Sequence, residues 1–179
     1  MTLYHFTLIV EGADLQTDAR LDSLWEAGCD DATFGVAAGV QHAAFDREAD
    51  SYADAVVAAI RQIEQAVPEA RVTRLETDEL VTVADIARRT GRTHESVRLL
   101  VSGGRGPGNF PPPAARAEQR NQLWWWPDVM QWFTRELGLE LPATAGQQAE
   151  IAAAINAKLA LRGLRERLDE HDASVLEQL

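Results

Sequence analysis

The first apolar run, "LYHFTLIV" at residues 3–10, is rich in β-branched and aromatic side chains and predicts a strand. In "TDARLDSLWEAG", Leu21, Leu24 and Trp25 fall at helical spacing behind Thr17, a residue suited to a cap, so a helix follows. Residues 31–46, "DATFGVAAGVQHAAFD", read as a hairpin with glycines near its centre. "DSYADAVVAAIRQIEQAV" reads as a helix with Ala53, Val56, Val57, Ile60 and Ile63 on one side, and "EARVTRLE" as a last strand. The order β-α-β-β-α-β over residues 1–77 predicts an α+β chain. It opens on a ferredoxin-like split βαβ domain, an antiparallel sheet with both helices on one face.

The pattern changes at residues 78–137. Thr82 stands three residues before Asp85, so its hydroxyl can accept a bond from the free Asp85 amide while the carboxylate faces the positive helix end. Val81 and Ile86 occupy the two positions of a hydrophobic staple, and Gly91 suits the left-handed residue that closes a helix. Thr93 then caps a second short helix, with Val97, Leu100 and Val101 on one face and His94, Glu95, Ser96 and Arg98 able to face outward. "SGGRGPGNFPPPAARAEQRNQLWWW" starts with glycines, stiffens at three prolines and returns through Leu123–Trp126 as a strand-like run, a β wing. Pro127 opens a further helix whose Val129, Trp132, Phe133 and Leu137 pack back under the first two. The triple Trp reads as core and wing support. As a base-stacking platform it would offer at most one or two rings, because neighbours on a strand point to opposite sides.

Residues 138–147, "GLELPATAGQ", read as a linker, and residues 148–179 as a C-terminal helix. Ala154, Leu161, Leu168 and Val175 recur every seven residues with Ala157 and Leu164 between, a short heptad stripe interrupted by Gly163 and His171. Such a helix packs on its own chain or on a partner.

Charge sharpens the division. The net charge of -11 is not evenly spread: residues 1–80 hold 5 Arg against 16 Asp and Glu, whereas residues 81–137 hold 8 Arg against 5 acids. Only the middle of the chain can attract phosphate. No apolar run reaches the roughly 18 residues needed to cross a bilayer, and the N-terminal stretch lacks the marks of an export signal, so a soluble cytoplasmic protein is expected. Cys29, the sole cysteine, and His5 and His42 have no ligand-spaced neighbours and read as filler or satisfied side chains. With no nucleophile beside a base, no phosphate loop and no metal-ligand cluster, an enzyme is not expected, nor are a metal or a cofactor.

The segments "VTVADIARRTGRTHESVRLLV", "FPPP" and "LWWWPDVMQWF" resemble the first helix, recognition helix, wing and closing helix of the MerR-like and excisionase-like winged helix-turn-helix domains. The resemblance covers about residues 80–137. It departs from the MerR regulators in that a mixed domain precedes it and only about forty residues follow, so metal sensing is not carried over. It implies that the second helix enters the major groove of double-stranded DNA and the wing tracks the adjacent backbone or minor groove. Thr93, His94, Glu95 and Ser96 would then meet base edges, and Arg98 a phosphate. Arg88, Arg89 and Arg92 around the turn, and Arg105, Arg116 and Arg120 in or beside the wing, would add bidentate phosphate contacts. The expected function is a sequence-specific transcriptional regulator acting as a homodimer on an operator. An antitoxin-type repressor, masking a protein partner through the acidic domain or the terminal helix, is a variant of it. The alternative is a protein-interaction adaptor whose helix-turn-helix is architectural.

Overall fold

The computed structural model of the chain describes residues 1–77, 80–139 and 143–176. The chain divides into two compact units, Met1–Glu76 with Ile151–Leu179, and Thr77–Glu150. The architecture is α+β: the described residues form a four-stranded antiparallel sheet, a two-stranded antiparallel sheet and seven helices.

The first unit runs β1 (Thr2–Glu11), α1 (Asp18–Glu26), β2 (Ala32–Ala37), β3 (Val40–Ala49), α2 (Tyr52–Ala66) and β4 (Arg71–Leu75). The sheet order is β2-β3-β1-β4, every neighbouring pair antiparallel. Alternation builds the core: Phe6, Leu8 and Val10 of β1 join Ala43 and Phe45 of β3, Leu24 of α1, and Ala55, Val56, Ala59, Ile60 and Ile63 of α2 in one buried cluster. Ser51 caps α2 by accepting from the Asp54 amide. The β2–β3 hairpin turns through Ala38 and Gly39, both at positive φ, as a two-residue turn matched to strand twist requires.

Arg47 is buried in the first unit and donates four hydrogen bonds. It donates to both Asp31 carboxylate oxygens at 2.8 Å, to Gln62 Oε1 at 2.6 Å and to the Gly28 carbonyl at 2.8 Å. Burial works against the charge, but the Asp31 hydrogen bonds and charge outweigh it and hold the guanidinium pKa above its usual value. Beside it, burial pushes the Cys29 thiol up to about 11, which leaves it protonated at neutral pH and unreactive.

The second unit contains β5 (Leu80–Val81), α3 (Val83–Thr90), α4 (His94–Val101), β6 (Trp124–Trp125) and α5 (Trp126–Leu137). β5 pairs antiparallel with β6, matching Leu80 to Trp125 and Val81 to Trp124. Around that pair a separate core gathers Ile86, Ala87, Val97, Leu100, Val129, Trp132 and Phe133.

The C-terminal region departs from the sequence expectation. Helix α6 (Ala143–Arg165) begins inside the expected linker, of which residues 140–142 lie outside the described residues, as do residues 78 and 79 at the start of the expected second domain. The chain then breaks before α7 (Glu170–Leu176), so the heptad stripe does not run along one helix. Nor is that stripe the packed face. Ala154, Ala157, Leu161, Leu164 and Val175 are exposed, whereas Ala152, Ile155 and Leu159, spaced by three and four, join the first unit's core. A seven-residue count selects one seam and a globular docking face another.

α6 also completes the sheet. β4 is an edge strand, and unpaired edge amides and carbonyls invite pairing with other chains. Asn156 meets Leu75 as a strand would, its Oδ1 accepting from the Leu75 amide at 2.8 Å and its Nδ2 donating to the Leu75 carbonyl at 3.0 Å. Arg162 donates to both Glu64 oxygens, at 3.0 and 2.7 Å, and to the Val72 carbonyl at 2.6 Å, while Glu64 accepts from the Val72 amide at 3.0 Å. Three side chains thus satisfy the edge of β4. Asn156→Ala and Asn156→Leu should each lower stability by about 2 kcal/mol, the penalty of stranding polar groups rather than of lost volume. Chemical denaturation of the full chain checks this, and rescue by Leu would show that packing, not hydrogen bonding, governs the position.

Candidate nucleic-acid interface

The helix pair is set by its caps. Thr82 Oγ1 accepts from the Asp85 amide and the Asp85 carboxylate accepts from the Thr82 amide at 3.0 Å, a reciprocal box that starts α3. Gly91, at φ 65, ends it in the left-handed conformation, and the Arg92 amide donates back to the Ala87 carbonyl. Thr93 immediately caps α4 through the Ser96 amide. Val97 and Leu100 are buried, which turns His94, Glu95 and Arg98 outward, with Ser96 half-buried.

The loop after α4 needs its glycines. Gly106 has φ 88, and a Cβ there would lie 2.7 Å from a Leu100 methyl carbon. Two indoles fix the proline arm: Trp132 Nε1 donates to the Gly108 carbonyl at 3.0 Å and Trp124 Nε1 to the Pro111 carbonyl at 3.2 Å. Phe110 packs edge-on to Trp132 with ring centres 4.9 Å apart. A single antiparallel bridge between Ala115 and Leu123 then closes a hairpin whose loop carries Arg116, next to the bridge and at φ 57, and Arg120, both exposed.

The structure sorts the expected site residues by what they touch. Arg98 forks onto Glu95, Nε and Nη2 donating at 2.8 and 2.7 Å, with the two side chains 58% and 61% exposed. That fork holds the Glu95 carboxyl below its ordinary pKa and raises the Arg98 guanidinium above its own. Arg88 pairs with Asp85 at 2.7 Å. Arg89 and Arg92 are half-buried, with guanidinium carbons 4.9 Å from the Trp126 ring centre and 5.5 Å from that of Phe133. Arg92 Nε is enclosed without a hydrogen-bond partner among the described residues. Thr93 spends its hydroxyl on the cap, and His94 and Arg105 are exposed.

Asp85, Glu95, Trp126 and Phe133 seat four of these arginines, a division that grouping them by turn, second helix and wing does not draw. The signal for two of the pairs was present in the three-residue spacings Asp85–Arg88 and Glu95–Arg98. The rings that carry Arg89 and Arg92 are distant in sequence and gave none. Trp124 is buried and Trp125 half-buried, so the triple Trp serves the core, β6 and the seat of Arg89. Among the described residues no group of three or more His, Cys, Asp or Glu could hold a metal ion, and no helix is long and apolar enough to cross a membrane. No family model, curated protein or solved structure matches the chain significantly.

Hydrogen bonds from Thr82, then Arg88, hold the Asp85 carboxyl below its ordinary value. A depressed carboxyl stabilises the fold above its unfolded pKa, about 4, and loses that contribution as pH falls through its lower folded value. Asp85→Asn should therefore flatten the acid limb of stability in this unit, and Thr82→Ala should cost about 1 kcal/mol at neutral pH. Denaturation followed by tryptophan fluorescence across the acid range measures both, and an unchanged acid limb in Asp85→Asn would contradict the assignment.

Proposed function

We propose that the chain is a sequence-specific DNA-binding transcriptional regulator that acts on an operator through its second unit, a winged helix-turn-helix of MerR-like or excisionase-like type. The observation that carries this is the capped α3–turn–α4 pair with His94, Glu95 and Arg98 outward, beside a hairpin whose loop carries Arg116 and Arg120, in the one region where arginine outnumbers acid. Helix α4, like any α-helix about 10–12 Å across with its side chains, fits the roughly 12 Å width of a B-DNA major groove. His94 and Glu95 meet base edges, and Arg88, Arg98, Arg105, Arg116 and Arg120 reach phosphates. Arg89 and Arg92, seated on rings, position the turn instead.

The β2-β3-β1-β4 order and its all-antiparallel pairing support a ferredoxin-like arrangement for the first unit. We assign that unit to homodimerisation, because a reader this small buries only about 600 to 1,000 Å² on DNA and gains specificity from pairing. A cytoplasmic location and the absence of catalysis belong to the same reading. One observation favours an adaptor instead: Trp25, 67% exposed, and Leu21 stand one turn apart on α1 without cover, in the manner of a protein-docking anchor.

Anisotropy titrations across salt separate the readings. Arg98→Ala should weaken binding to all sequences alike and reduce the salt slope by about 0.9, one phosphate contact. Glu95→Ala frees Arg98 and should change the preferred base at one position of a selected site. A chain that binds no DNA at about 50 mM salt hands the function to the adaptor reading.

A further inference from the structure

A cavity of about 490 Å³ lies in the first unit, between the end of β1, β4 and the C-terminal part of α6. Its wall carries Arg71, Arg162 and Arg167 with Glu11 and Glu166. Arg162 is committed to Glu64 and the Val72 carbonyl. The other two arginines are tethered at one end only. Arg71 Nη1 donates to the Pro68 and Ala70 carbonyls at 2.8 and 2.9 Å, and Arg167 Nε donates to the Gly163 carbonyl at 3.1 Å. Nη2 of Arg71 and both Nη atoms of Arg167 make no hydrogen bond among the described residues. Each guanidinium is oriented while keeping donors for something else.

The charges select the kind of ligand. With Arg162 neutralised by Glu64, the wall keeps two guanidinium groups and two carboxylates, Arg71, Arg167, Glu11 and Glu166, all on exposed residues, so a simple anion or a simple cation meets as much repulsion as attraction. A molecule with both signs matches both pairs. The remaining wall comes from Gly12, Val72, Thr73, Leu159, Ala160 and Gly163, of which Val72 and Leu159 are buried and Ala160 is exposed. Gly163 adds an independent sign. Glycine is the poorest helix former after proline, yet a Cβ at this position would meet nothing within 4 Å. Packing does not demand the glycine, and the missing side chain leaves the cavity open.

We propose that this cavity binds a small zwitterion with an apolar side chain, of the α-amino acid class. The carboxylate docks on Arg71 and Arg167, the ammonium group on Glu11 and Glu166, and the side chain lies against Ala160 in the space left open at Gly163. The site uses no residue of the proposed DNA-reading surface, so the two readings stand or fall separately.

The test is thermal unfolding and calorimetry of the full chain with L-leucine, against 4-methylvalerate and isopentylamine, which each carry only one of its charges. At about 10 mM, leucine should raise the midpoint and the single-charge analogues should not. Arg71→Gln should weaken leucine at least about tenfold. Gly163→Leu, which fills the open space with a better helix former, should keep the fold and abolish the response. No shift with leucine, an equal shift with 4-methylvalerate, or an undiminished response in Gly163→Leu would each overturn the proposal.

Discussion

The geometry of the second unit hangs on Trp124. Its backbone, in β6, pairs with Val81 just ahead of α3, its ring fills the space against the helices, and its indole N–H holds the Pro111 carbonyl of the arm that leads to the hairpin. One side chain therefore ties together the strand before the first helix, the core under the second and the root of the hairpin. A buried indole must find an acceptor, and here the acceptor is a carbonyl of a proline segment whose stiffness carries the constraint outward. Trp132 repeats the device one step earlier, at Gly108. The glycines between α4 and Gly108 permit a reversal, but these two hydrogen bonds choose which reversal it is.

Much of this was legible in the sequence, for local reasons. Caps are written in neighbouring residues, so Thr82, Gly91 and Thr93 could be assigned from spacing alone, as could the apolar face of α5; on α2 the expected Ala53 and Val57 are only half-buried, and Ala55 and Ala59 lie in the core instead. The boundaries of α6 and its role were not legible. Asn156 pairing with Leu75 and Arg162 reaching Val72 are contacts between residues some eighty to ninety positions apart, and no periodicity encodes them. The heptad count also answered a different question from the one the fold poses, since seven-residue spacing tests for a seam between two long helices and α6 instead beds on a sheet. For the candidate site, the outward side chains of α4 followed from its amphipathic pattern. The division of the arginines into paired, ring-seated and exposed did not, because it depends on where Trp126 and Phe133 fall in three dimensions.

The two units handle charge differently. In the acidic first unit two arginines are spent internally: Arg47 is enclosed by Asp31, Gln62 and Gly28, and Arg162 is clamped by Glu64. Such groups specify geometry, since each donor has one satisfying arrangement. In the second unit the pairs Asp85–Arg88, exposed on its arginine side, and Glu95–Arg98, exposed on both, lie along short helices, where water screens the guanidinium groups and little energy is needed to part them. An arginine held in that way is oriented yet still available to a stronger acceptor.

The first unit is discontinuous in sequence, and that has a kinetic consequence during synthesis. A chain emerging from the ribosome tends to fold its domains as they appear, N-terminal first. Here the strands of the large sheet are made early, but the helix that seals β4 arrives only after the whole second unit has emerged. Until then the Val72 and Leu75 edge groups lack their side-chain partners, a template for pairing with neighbouring nascent chains. The contiguous second unit faces no such delay. A helix translated after the second unit thus closes a domain begun before it, which makes that interval a time of exposure to misassembly.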